Sequence, residues 1–249
     1  MQGPPRKSDR AWKHVLNVIK KSDIVLEVLD ARMPLRSSKL EELVMQKGKR
    51  LVMVLSKCDL TSRAELHDWM EKIGGKCVPF SIRKHIGINN LKYLILSQSK
   101  KKPVRVGVVG YPNVGKSSLI NTLAHRKAAP VSPIPGVTKG ENWIAACPIL
   151  FLDTPGVIPG EQSESRLAMA DALDADLLDD PESVALKVLR VSDANEFYGC
   201  TKDGREALEE IAVLRGKLLK GGAPNVDYAA KLVVRDFQRG RTRRVRAVQ

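Results

Sequence analysis

Gly110-Tyr111-Pro112-Asn113-Val114-Gly115-Lys116-Ser117 decides how the rest of the chain is read. The octapeptide fits G-x-x-x-x-G-K-[ST] at every fixed position. An apolar run, Val104–Val109, precedes it and a helical pattern, Ser118–Ala124, follows. Its glycines let the backbone curl so that the N–H groups from Asn113 to Ser118 form an anion nest at a helix N-terminus. Lys116 can then reach the β- and γ-phosphates of a nucleotide, and the Ser117 hydroxyl can ligate magnesium. A Gly-rich turn with a chance Lys-Ser is the plain alternative, and the strand and helix on either side argue against it. The loop predicts a nucleotide site in an α/β fold.

Upstream, apolar runs alternate with helical patterns. A helix is predicted over Ala11–Lys21, then strand Ile24–Leu29 ending in Asp30-Ala31-Arg32-Met33-Pro34, then helix Ser38–Gln46. Strand Leu51–Leu55 leads into Ser56-Lys57-Cys58-Asp59, and helix Ala64–Ile73 follows. Strand Lys76–Phe80 runs into Ser81-Ile82-Arg83, before a helix from Ile88 to about Leu96. Such alternation predicts a parallel sheet with helices on both faces. Downstream, residues 130–140 read as a Pro/Gly-rich loop around Thr138. Trp143–Cys147 and Ile149–Leu152 read as paired strands, the second ending in Asp153-Thr154-Pro155-Gly156.

The 249 residues carry a formal net charge of +14 and 43% hydrophobic residues. That composition supports a packed core and favours a polyanionic partner, nucleic acid first among them, over a solvated basic surface. Cys58, Cys77, Cys147 and Cys200 are scattered without C-x-x-C spacing, so neither a zinc site nor a disulfide framework is indicated. The expected setting is a reducing cytosol. No apolar run is long enough to span a membrane, and the N-terminus lacks the pattern of a signal peptide. The protein is expected to be cytoplasmic and a monomer.

With these residues in view, the chain resembles the Ras-like GTPases. The phosphate loop, Thr138 and Asp153–Gly156 resemble their first three motifs. The base-reading Asn-Lys-x-Asp and the Ser-Ala loop normally come later, yet their counterparts here, Ser56-Lys57-Cys58-Asp59 and Ser81-Ile82, come first. That order resembles the circularly permuted GTPases of the YlqF/YawG (RbgA-like) ribosome-biogenesis family. Asp30-Ala31-Arg32-x-Pro34, Pro135–Gly140, Asp153–Val157 and the tail Lys231–Arg241 are similar to its signatures.

The resemblance implies a permuted Ras-like domain over residues 1–160 and a small all-α, RNA-binding domain over 161–249. It implies GTP and GDP as ligands. Asp59 would accept from the guanine amine and ring N–H, which adenine does not offer. Lys57 would lie along the purine, with Ser81 and Ile82 closing over it. Ser117, Thr138 and, through a water, Asp153 would hold magnesium, while Pro155 and Gly156 would border the γ-phosphate. Ser56 in place of the usual Asn removes a bracing amide, so weaker nucleotide affinity is expected. Ile82 replaces a small Ala and alters the fit of that loop.

In Ras-like enzymes a Gln after the switch Gly orients the attacking water. Val157 holds that position here, so the water needs another organiser. The resemblance implies potassium at Asn113, with a loop-shaping role as the alternative for that residue. Lys116, Asn113, Thr138 and Gly156 are therefore the candidate catalytic residues.

The C-terminal part reads as helices over Ser163–Leu173, from Asp180-Pro181, over Glu206–Lys220, and from Asn225 or Asp227. Leu208, Ile211, Leu214 and Leu218 form one expected core stripe; Val226, Ala230, Val233 and Phe237 form another. Lys231, Arg235, Arg239, Arg241, Arg243, Arg244 and Arg246 are the candidate RNA-binding residues, because arginine forks grip phosphate. The implied partners are ribosomal RNA and the large ribosomal subunit or its precursor. A scaffold that binds guanine nucleotide and RNA without using hydrolysis is the competing class.

Overall fold

A computed structural model describes residues 7–74, 77–124, 143–152 and 162–245. Thr138, Asp153, Pro155, Gly156, Val157 and Arg246 lie outside the described residues. The chain divides into two compact units. The first comprises residues 1–30, 34–58 and 72–161; the second comprises 31–33, 59–71 and 162–249. The second unit thus takes in two short segments that the sequence reading assigned to the first.

The first unit is built on a six-stranded sheet in the order β3-β2-β1-β4-β6-β5. Its strands are β1 (Ile24–Asp30), β2 (Arg50–Ser56), β3 (Cys77–Pro79), β4 (Val104–Val109), β5 (Trp143–Ala146) and β6 (Ile149–Leu152). All neighbours pair in parallel except β5 with β6, which are antiparallel. Every residue of β1 is buried, as a central parallel strand covered on both faces must be. The same unit holds helices α1 (Lys7–Lys21), α2 (Ser38–Gln46), α4 (Ile88–Gln98) and α5 (Lys116–Ala124).

Val15, Val18 and Ile19 of α1 join Leu40 and Val44 of α2, Val25, Val109, Leu150, Leu152 and Trp143 in one buried cluster. Each such aliphatic side chain contributes roughly 1.5–3 kcal/mol on burial. Ser37 caps α2 by accepting the Leu40 N–H at 3.3 Å. Leu91 and Ile95 of α4 and Leu119, Ile120 and Leu123 of α5 are also buried, and those helices lie side by side. The strands end their parallel runs at Asp30, Ser56, Pro79 and Val109, so the loops that follow collect at the C-terminal edge of the sheet.

The second unit is helical: α3 (Arg63–Ile73) contributes its start, followed by α6 (Glu164–Met169), α7 (Pro181–Val191), α8 (Ala194–Tyr198), α9 (Gly204–Leu214) and α10 (Val226–Gln238). Its centre is α10, which packs on α6, α7 and α9. Asp180 caps α7, accepting from the Ser183 N–H at 3.0 Å, and Asn225 caps α10, accepting from the Tyr228 N–H at 3.0 Å. Each cap is worth about 1 kcal/mol.

Two helices are shorter than the periodicity predicts. The first stops at Met169, before the left-handed Asp171 (φ 57°). The second, α9, stops at Leu214 because Gly216 turns left-handed (φ 63°), well before the Gly221-Gly222 pair expected to end it. Leu208 and Ile211 are buried as predicted, but Leu214 and Leu218 are 58% and 51% exposed and leave the core stripe. In α10, Ala230, Val233 and Phe237 are fully buried, while Val226 is only half-buried. The short α8 has too little periodicity to announce itself.

Candidate nucleotide-binding site

The phosphate loop leaves the end of β4. Gly110 stands so close to β1 that a Cβ there would sit 2.4 Å from the Val28 carbonyl oxygen, so a side chain is excluded. Asn113 is left-handed (φ 56°), a conformation Asn tolerates better than most residues and one that fits both the potassium and the loop-shaping readings. Its side chain is exposed, as are Ser117 and Ser118 on the first turn of α5; Val114 is buried and Gly115 half-buried. Lys116 is 6% exposed, and its Nζ donates to the Tyr111 carbonyl at 2.6 Å, closing the loop on itself. The i→i−4 ladder leaves N–H groups over at the first turn of a helix, and there they favour an anion.

The loop is tied to the ends of β1 and β2. Ser56 Oγ lies 2.6 Å from the Val114 carbonyl and 3.0 Å from that of Leu29, so its single proton is shared between the phosphate loop and β1. The expected loss of a brace with the Asn-to-Ser change is therefore corrected: the buried hydroxyl makes the tie. Beside it, Lys57 is left-handed (φ 55°), and its Nζ stands 3.0 Å from the buried Asp30 carboxylate. This pairing is absent from the sequence reading, although an Asp closing a fully buried strand was a signal for it.

Next to this turn, the Cys58 N–H donates to Phe80 O at 3.2 Å, which sets the loop after β3 alongside. Ser81 is fully buried and Ile82 is 38% exposed. Lys57, Ser81, Ile82 and the phosphate loop thus belong to one unit and gather at one edge of its sheet. Asp59 is half-buried in a one-turn helix, Cys58–Leu60, and is grouped with the second unit.

Beneath the phosphate loop lies an unexpected acid. Glu27 pairs in register with Val109, and its Oε1 accepts from the Ser37 N–H at 3.2 Å. Among the described residues its Oε2 is buried without a hydrogen-bond partner, and Glu27 lines a small cavity together with Leu29, Leu35, Gly110 and Tyr111. Burial pushes its pKa up to about 7, against the opposing pull of the Ser37 N–H and Arg36.

The C-terminal cations behave differently from the sequence expectation. Lys231 pairs with Asp227 at 2.9 Å, Arg235 with Asp176 at 2.6 Å, Arg241 with Asp236 at 2.9 Å and Arg243 with Asp193 at 3.4 Å. Arg239 is exposed. Arg244 corrects its assignment outright, because it is only 2% exposed. Its Nε lies 3.0 Å from Glu65, its guanidinium stands over Trp69 and donates to the Arg32 carbonyl, and its N–H donates to Leu60 O at 2.9 Å. Arg32, itself fully buried, donates to the carbonyls of Phe237 and Gln238 and covers the Phe237 ring at 4.9 Å.

Comparison with known proteins supplies context for this geometry. Residues 105–214 match the family model described as 50S ribosome-binding GTPase. An uncharacterised GTP-binding protein of Methanocaldococcus jannaschii is 36% identical over 92% of this chain and 65% of its own length. Nucleolar GTP-binding protein 2 of Schizosaccharomyces pombe and of Saccharomyces cerevisiae are each 35% identical over 94% of this chain. The chain spans only about half of those two proteins, 47% and 52% respectively. Among solved structures, GNP-bound YlqF from Thermotoga maritima superimposes with a TM-score of 0.67 at 24% identity, covering 93% of this chain and 94% of that one.

Proposed function

We propose that the chain is a YlqF-like circularly permuted GTPase, a GTP-hydrolysing switch acting on ribosomal RNA during large-subunit assembly. The observation that carries the nucleotide part is the Ser56–Val114 tie, which joins a phosphate loop to a base-reading turn that precedes it in sequence. A permuted order is functional only if the two halves of the site meet in space, and the Ser56–Val114 hydrogen bond supports that reading.

In this reading the β- and γ-phosphates lie on the first turn of α5, and Lys116 exchanges the Tyr111 carbonyl for phosphate oxygens. Lys57, oriented by Asp30, lies along the purine, and the acceptor-only carboxylate of Asp59 selects guanine. Ser117 would hold magnesium, an exposed hydroxyl beside Lys116 at the start of α5, and Thr138 and Asp153 would complete the set. Magnesium held there would supply charge neutralisation to the phosphates. The exposed Asn113 carboxamide is the proposed potassium ligand. With Val157 unable to orient water, turnover is slow until the partner completes the site.

GTP hydrolysis in potassium or sodium, with purified large or small ribosomal subunits or with neither, tests this reading. Stimulation of at least tenfold by large subunits alone, and only in potassium, is expected. Tight GTP binding with no stimulation would favour the scaffold reading, and equal rates in the two salts would remove potassium from Asn113.

A further inference from the structure

The turn Ile82–Ile86 carries Arg83, Lys84 and His85 at its tip, and all five residues are exposed. It is closed rigidly. Ser81 and Ile86 exchange backbone hydrogen bonds of 3.1 and 2.9 Å, Ser81 Oγ accepts the Lys84 N–H at 3.1 Å, and the His85 N–H donates to Ile82 O at 3.3 Å. At its base, a Cβ on Gly87 would stand 2.0 Å from the Pro79 carbonyl oxygen, so that position accepts glycine alone.

Among the described residues, none of the three basic side chains at the tip makes an ion pair. In the helical unit, by contrast, the cations expected to meet RNA are largely matched by acids. A paired arginine must give up its carboxylate before it takes a phosphate. An unpaired one on a stiff turn loses only counterions and little conformational freedom.

We propose that the Arg83-Lys84-His85 tip is a binding site for RNA backbone phosphates, with Ile82 and Ile86 packing against the sugar-base surface beside them. The arrangement suits a polyanion: an arginine fork and an ammonium on adjacent residues, flanked by apolar side chains that are 38% and 42% exposed. The proposal rests on the RNA-binding reading above and places a contact in the first unit, at the loop whose Ser81 closes the base site.

The test is binding of protein-free large-subunit ribosomal RNA by the full chain, measured across a salt series, with guanine nucleotide affinity checked in each preparation. The double variant R83E/K84E is expected to bind GTP normally. Its affinity for RNA should fall at least tenfold, with a log–log salt slope shallower by about two. R241A/R243A should leave the slope within about half a unit of the parent. An R83E/K84E protein with unchanged affinity and slope would overturn the site while leaving the RNA reading intact. A parent protein that fails to bind the RNA would overturn both. Loss of binding to intact subunits with protein-free RNA binding unchanged would assign the tip to a ribosomal protein and overturn the phosphate contact.

Discussion

Two basic stretches, Arg83–His85 and Arg239–Arg244, look alike in sequence and differ in what surrounds them. In the first, the cations face solvent on a stiff turn; in the second, acids at Asp236, Asp193 and Glu65 answer them within hydrogen-bonding reach. Positive charge in a sequence is therefore not the same as positive charge available to a ligand. The difference arises because a cation near folded acids is absorbed into the unit that supplies them.

Removing Arg244 sharpens the contrast most. R244A leaves Glu65 buried without its partner and uncovers Trp69, so a loss of about 3–5 kcal/mol is expected in urea unfolding, with R83A within about 0.5 kcal/mol of the parent. A loss below about 1 kcal/mol for R244A would break the comparison.

Glu27 is the acidic counterpart, buried with a backbone N–H as its one hydrogen-bond partner among the described residues. Its folded pKa of about 7 lies above the ordinary 4.5, so between these values the folded state holds more protons than the unfolded one. Stability is then greatest at or below pH 4.5 and is lost as pH rises toward 7, by about 3 kcal/mol from this group. E27Q should flatten that part of the pH–stability curve, whatever its effect on absolute stability.

For Lys57 the contrast is between charge and aim. D30N keeps the shape of the buried side chain but removes the charge that orients Lys57, and a loss of GTP affinity of about tenfold is expected by equilibrium titration. An unchanged affinity would leave the pairing a structural one. The smallest effect belongs to the exposed tail pairs: R243A should cost about 0–1 kcal/mol in unfolding, since solvent screens such pairs.

The legible parts of this molecule are those fixed by short-range chemistry. The phosphate loop, the bounds of β4, α2 and β6, and the Asp180 and Asn225 caps follow from patterns a few residues long. What escaped depends on residues far apart in the chain. Ser56 reads as a defect until Val114 arrives beside it, and Arg244 reads as a surface cation until Glu65 and Trp69 enclose it. Gly216 illustrates a smaller ambiguity: three glycines follow the α9 pattern, and only the backbone conformation tells which ends the helix.

The reach of Arg244 also orders events during synthesis. Its guanidinium caps a carbonyl at Arg32, 212 residues earlier in the chain, and its backbone bridges to both Thr61 and Ser192. A translating ribosome therefore releases Arg32, Glu65 and Trp69 long before it makes the residue that seals them. Until then the contacts of Arg244 with those residues cannot form, while β1 and β2 can already pair.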